Sequence, residues 1–307
     1  MSLLPPSSEQ ISFCGSRARS WLLGLNKLIG VDTSISIASI LQILVGCWIC
    51  ENALVRDGEQ TGVQSLAREL HRRLNDGGQE VFSGLLNCDA ALILLSAGIL
   101  RTLNIRNDAI EFFIQKVKVT LQAYKDQDQI EASELFVTRF LLHNLDSHPS
   151  LDTYVVNLPH NALETKLFQA DELIIRSLAA DIAAATAYGK KLPSADPELL
   201  GRLVVVLPVW MLYYLRQHNL EIGTLLLRTM NYLHLRDDFA FQMSLNFILA
   251  QQQLDGRFGF FAPEISQLQS FKPHFDNIFA LYLPITLSCL WAIAETTNPH
   301  FILFSSI

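Results

Sequence analysis

Apolar positions recur at spacings of three and four along almost the whole chain, and no run alternates residue by residue as a half-buried strand would. That period predicts helices over 8–28, 33–55, 60–75, 84–103, 107–125, 128–146, 163–188, 196–217, 219–235, 238–253 and 275–296. The breaks between them carry turn chemistry: Asp57-Gly58, Asp76-Gly77-Gly78, Lys125 to Asp128, Ser147 to Ser150, Pro193 to Pro197 and Asp255-Gly256. Short links between long helices favour antiparallel neighbours. The expected fold is therefore all-α, one domain over 1–307 built from antiparallel helical hairpins. Its best candidate for a subdomain seam is 147–162, a longer loop holding Pro149 and Pro159.

One stretch organises the pattern. Phe247 to Gln253 ends an apolar-faced helix, Asp255-Gly256 supplies a sharp turn, and Phe258, Phe260 and Phe261 follow as aromatic area to bury. The three glutamines, Gln251 to Gln253, can satisfy helix-end carbonyls or the turn itself. A short hairpin near Phe258–Phe261 is the only strand pairing expected. A weak internal repeat runs alongside. Leu70, Leu74 and Asp76-Gly77 precede Val81-Phe82, then Asp89 and the apolar run 90–100; Leu249, Leu254 and Asp255-Gly256 precede Phe258, then Asp276 and the run 278–290. Gln169 to Ile175, with Asp171, matches the second half of that unit, and Asp32 and Asp196 open two more helices. Polar outer helices alternating with apolar inner ones are what an α/α barrel requires. The set Phe247, Ile248, Gln252, Gly256 and Phe258 resembles the repeat of the squalene-cyclase and prenyltransferase α/α-toroids, with Ile for Leu and Phe for Trp. That resemblance covers about one repeat and implies a closed or irregular toroid around a hydrophobic cavity.

A second resemblance rests on Asp171-Glu172-Leu173, Ser177, Thr186-Ala187-Tyr188-Gly189 and Gln252-Gln253-Leu254-Asp255-Gly256. These residues are similar to an uncharacterised bacterial family of all-helical proteins found in natural-product gene clusters. The family pattern has His after the Ser or Thr that follows Asp-Glu-Leu, and here Leu178 stands in that place. If that His is catalytic in the family, this chain lacks it.

Composition removes whole classes of function. Half of the residues are hydrophobic, 17% are charged and the net charge is −7. The densest basic cluster, Arg68, Arg72 and Arg73, is interrupted by Glu69 and fits a solvated helix face, so nucleic acid is not an expected partner. Five scattered cysteines, Cys14, Cys47, Cys50, Cys88 and Cys289, imply no disulfide framework and a reducing, cytoplasmic setting. Cys47 and Cys50 have redox-motif spacing but lie in an apolar helical run without a preceding strand, as buried small hydrophobes would. The first ten residues lack a basic segment followed by an apolar one. Thr33–Cys50 and Asn277–Ala294 are uncharged and nearly long enough to span a bilayer, yet both carry dispersed polar residues and lack flanking Lys or Arg, as helices buried by neighbours do.

The candidate chemistry lies in carboxylates. Asp89, Asp171 and Asp276 each precede an apolar helix, with Glu172 and His274 beside two of them. One reading is N-capping; the other places the three at one mouth of a toroid, where clustered carboxylates in an apolar cavity raise each other's pKa and one can act as a general acid. Asp237-Asp238 is a capped helix start, since Phe241 stands where a DDxxD motif needs its third Asp, and no DxDD occurs. His143, His148 and His160 are spaced by five and twelve residues, which does not set two ligands on one helix face. No G-x-S-x-G elbow, P-loop or GxGxxG is present, so no metal or nucleotide cofactor is expected. Trp48, Trp210, Tyr213, Tyr214, Tyr282 and Trp291 sit on apolar helices, as core or as cavity lining; Trp210, Tyr213, Tyr214, Tyr282 and Phe258 are the candidates to hold a substrate. Pro208 and Pro284, in Val-Leu-Pro-Val-Trp and Tyr-Leu-Pro-Ile-Thr, each free a helix carbonyl. Two functions follow as expectations. The first is a natural-product enzyme holding a hydrophobic small molecule or peptide for cyclase- or isomerase-type acid–base chemistry. The second is a non-catalytic helical binding or scaffold protein, and self-association is open in both.

Overall fold

Helix dominates: the described residues are 79% helical and contain no strand. The computed structural model describes residues 5–29, 36–55, 61–77, 83–85, 88–123, 141–142, 145, 171–193, 197–259, 275–298, 301 and 303. The first helix, α1, spans Ser8–Ile29, and α2 spans Ile37–Ile49, capped by Ser36, whose hydroxyl accepts from the Ser39 amide. The run expected as one helix over 33–55 is instead α2 followed by a π-helical turn, Cys50–Leu54, closed by the Val55 amide donating to the Cys50 carbonyl at 2.9 Å. The wider turn carries Glu51 inward, where Arg19 of α1 meets it. Then come α3 (Thr61–Asp76), α4 (Ala90–Thr102) and α5 (Asp108–Ala123). After them α6 spans Glu172–Ala185, α7 Pro197–Arg216, α8 Leu220–Tyr232, α9 Phe239–Ala250 and α10 Phe275–Thr297.

Two expected starts move, and the caps explain why. The helix begins at Ala90 rather than 84 because Asp89, with extended ψ, accepts from the Ala91 amide and ends the ladder there. Likewise Asp171 is extended and accepts from Ile174, so α6 opens at Glu172; residues 163–170 lie outside the described residues. The helix expected over 128–146 and the seam at 147–162 also lie outside them, apart from 141–142 and 145.

Three helices carry the core. α2 packs against α1, α3, α4 and α10; α8 packs against α6, α7, α9 and α10; α10 touches both hubs. Leu41, Ile43, Leu44, Leu226, Leu227, Leu290 and Ile293 are fully or almost fully buried on these three. Burying such side chains contributes about 1.5–3 kcal/mol each relative to exposure. Among the described residues the contacts trace an open series, α5–α4–α2–α10–α8–α6, with α1, α3, α7 and α9 packed on it. The expected ring would join α5 to α6 across 124–170, most of which lies outside the described residues.

The 251–259 turn behaves as its residues require. Gly256 has φ +105°, and a Cβ there would collide with the Arg17 carbonyl of α1, so only glycine fits. The Gln252 side-chain amide donates to the Cys14 carbonyl of α1 (2.9 Å) and to the Gly256 carbonyl (3.0 Å), while Gln253 donates to the Gly259 carbonyl. Asp255 accepts from the Arg257 amide, and Gln252 and Phe258 form an isolated antiparallel bridge, the whole of the expected hairpin that the described residues contain. Phe258 is fully buried, its amide donating to Thr286 of α10 at 3.0 Å. The turn thus locks α1 to α10.

Candidate functional site

Two of the three predicted carboxylates cap helices. Asp89 and Asp171 are exposed, and each is engaged by the first turn of its own helix. Glu172 is exposed as well and accepts from the Asn219 side chain at 2.9 Å, tying the start of α6 to the α7–α8 connection. Asp89 begins a helix packed on α2, and Asp171 begins one packed on α8; α2, α10 and α8 separate α4 from α6 in the packing series. Asp276 is the second residue of α10, with its side chain outside the described residues, as is all of His274. Asp238 caps α9 through the Ala240 amide, as its position predicts.

The predicted aromatics divide. Trp210, Tyr214, Tyr282 and Phe258 are buried, with the Arg257 guanidinium 4.2 Å from the Tyr282 ring centre. Tyr213 departs from the buried setting expected of its helix: it is 55% exposed, because α7 packs on α8 and α9 with one side and turns the other outward. Val205, Val209 and Leu212 share that outward side.

Two buried charge clusters escaped the sequence reading. On α8 and α10, Arg228 donates to Glu295 Oε2 at 3.1 Å and to the Tyr232 hydroxyl at 2.7 Å, and that hydroxyl donates to Glu295 Oε2 at 2.6 Å. The guanidinium carbon lies 3.3 Å from the Trp291 ring centre, stacked on its face. Glu295 Oε1 accepts from the Leu303 amide, and Asn231 donates to the Glu295 carbonyl. Burial pushes the Tyr232 phenol well above its usual range despite Arg228, so the hydroxyl stays protonated and can donate. Burial works against the Arg228 charge, but Tyr232 and Glu295 outweigh it and raise its pKa. A lone Arg in Leu-Leu-Leu-Arg-Thr-Met and a lone Glu in Trp-Ala-Ile-Ala-Glu-Thr are the signals that could have found this pair, since an isolated charge in an apolar run needs a partner.

The second cluster surrounds Glu51. Its side chain is fully buried, and Arg19 Nε and Nη2 both reach Oε1, at 2.9 and 2.8 Å. Oε2 has no hydrogen-bond partner among the described residues. Cys14, Cys47, Cys50 and Cys289 are buried free thiols in the same region of the core. Burial raises all four thiol pKa values, Cys14 to about 12, so the Cys47/Cys50 spacing brings no reactive thiolate.

Among the described residues no three His, Cys, Asp or Glu side chains converge closely enough to hold a metal ion. The open hollows on the surface include one lined by Gln64, Ser65, Arg68, Glu69 and Arg72, and one lined by Arg101, Asn104, Arg106, Glu111 and Leu145. Their polar walls suit water better than a hydrophobic substrate. Glu69 bridges Arg72 and Arg73; Arg68 and Arg72 lie on the solvated face their spacing suggests, whereas the Arg73 side chain is 11% exposed. Among the described residues the interior charges are paired, and the outer side of α7 is the apolar surface left exposed.

No protein-family model, no curated protein and no solved structure matches this chain, so the toroid and natural-product resemblances stand on the residues quoted for them alone.

Proposed function

We propose that this protein is a non-catalytic helical binding or scaffold protein that works through the outer side of α7. The observation carrying this reading is the contrast on that helix: Leu203, Leu207, Met211 and Leu215 are buried, while Val205, Val209 and Tyr213 are more than half exposed. An apolar outer face of this kind costs solubility unless something covers it. The enzyme reading needs carboxylates facing a cavity, and Asp89 and Asp171 instead hold their own helix ends, which gives that reading no support at those two positions.

The test is site-specific photo-crosslinking in cells making the full chain, with the reactive side chain at position 209 and, as a control, at position 64. A discrete polypeptide adduct at 209 and none at 64 is expected. Equal labelling at both positions, or an adduct only with a small molecule, would overturn the reading.

A further inference from the structure

The outer face of α7 is self-complementary, and from this we infer that it binds a second copy of this chain, two α7 helices crossing antiparallel about a two-fold axis level with position 207. The inference rests on the binding reading above and names its partner. With 3.6 residues per turn, Glu198, Val205, Val209, Leu212 and Arg216 fall within about 60° of one another around the helix. Glu198 and Arg216 are exposed and bracket the apolar stretch at its two ends.

A two-fold axis at that level sets each residue against the one equally far on the other side. Val205 then meets Val209 of the second copy, twice, at the centre. Glu198 at the first turn faces Arg216 at the last, an opposite-charge pair made twice. Glu198 already holds Arg202 of its own helix at 2.5 Å, so its carboxylate is oriented on this part of the surface. Antiparallel crossing also sets each helix N-terminus against a C-terminus, which aligns the dipoles favourably. A parallel pairing would set Glu198 against Glu198 and Arg216 against Arg216, and lose both charge matches. One face meeting itself in this way is the arrangement of an isologous dimer. A membrane surface has no use for the charge order, because lipid would not distinguish Glu198 and Arg216 from their exchange.

Sedimentation equilibrium on the full chain tests the inference. The unaltered chain should be dimeric at about ten micromolar, and Val205→Asp or Val209→Asp should weaken the dimer about 30-fold or more. These side chains are exposed, so circular dichroism melting at concentrations where every chain is monomeric should stay unchanged. Glu198→Arg alone, or Arg216→Glu alone, sets like charges together twice and should weaken it about tenfold; the double exchange should restore it. A chain monomeric at 100-fold higher concentration, a dimer indifferent to both Val205→Asp and Val209→Asp, or a double exchange no better than the singles would each overturn the inference. Should the chain be monomeric while position 209 cross-links a different polypeptide, self-association fails and the scaffold reading survives. Flotation with phosphatidylcholine vesicles that is lost in Val205→Asp would instead remove both.

Discussion

Two helices of equal mean hydropathy meet opposite fates in this molecule. The segment Ile37–Leu54, comprising α2 and its π turn, and α7 at Pro197–Arg216 both reach 1.6, and either is long and apolar enough by composition to cross a membrane. Yet 72% of the first is buried inside the protein against 44% of the second. Helices α1, α3, α4 and α10 surround α2, whereas α7 has α8 and α9 along one side. Hydropathy therefore measures how much a helix gains by being covered, and says nothing about which element covers it. Residues at the ends mark the difference: α2 is capped by Ser36 and runs into a buried Glu51–Arg19 pair, while α7 begins with Pro197-Glu198 and ends at Arg216 in solvent.

The largest expected effects lie on the sealed side. Glu295→Ala would strand Arg228 against Trp291 without its counter-ion, and should cost about 3–5 kcal/mol in a denaturant titration. Replacing both charges together, Arg228→Met with Glu295→Leu, should recover much of that loss; if the single change costs under about 1 kcal/mol, the pair does not hold α8 to α10. Phe258→Ala belongs to the same range, about 3–5 kcal/mol, since the ring is fully buried. A loss below about 1 kcal/mol there would remove the 251–259 turn from its organising role.

The comparison itself is sharpened by a matched truncation. Ile43→Ala in α2 should cost about 2–5 kcal/mol, and Val205→Ala in α7 under about 0.5 kcal/mol in the dissociated protomer. Similar losses at the two positions would mean that α7 is covered within the protomer after all.

Alkali probes the same sealed interior. Cys14 is held neutral by burial, its thiol pushed up to about 12, and burial raises Cys47, Cys50 and Cys289 as well. In the unfolded chain a thiol titrates near ~8.5. Above that value the unfolded state binds fewer protons than the folded one, so stability falls as pH rises. For Cys14 the loss runs from about 8.5 to about 12, at about 1.4 kcal/mol per pH unit. Urea melts between pH 7 and 10.5 should show flat stability up to about 8 and a decline beyond. Cys14→Ser should make the decline shallower, and an unchanged slope in that variant would contradict burial of this thiol.

The smallest effects are reserved for the helix starts. Asp171→Ala should cost about 1 kcal/mol and Asp171→Asn only a few tenths, because Asn can still accept from the Ile174 amide. Asp89 should behave alike. An Asn variant that stabilised the fold would point to a carboxylate held under repulsion, the opposite of a cap.

Much of this is legible in the sequence. The three-and-four period is a property of local geometry, so the helices at 61–76, 197–216 and 275–297 fall within two residues of their expected bounds. The Gln252, Asp255-Gly256 and Phe258 turn was legible for the same reason, since positive φ at glycine and short-range hydrogen bonds are decided within nine residues. Capping at Asp89, Asp171 and Asp238 is equally local. What the turn would be pinned to was not: the Cys14 carbonyl and the Thr286 hydroxyl lie 238 and 28 residues from their donors. Nor could periodicity pair Arg228 with Glu295, 67 residues apart, or decide that Tyr213 faces water while Tyr214 beside it is buried. Amphipathic period determines which residues share a face. Which faces meet depends on how the helices are covered in three dimensions, and that is a sum over contacts distant in sequence, to which no single stretch of residues holds the answer.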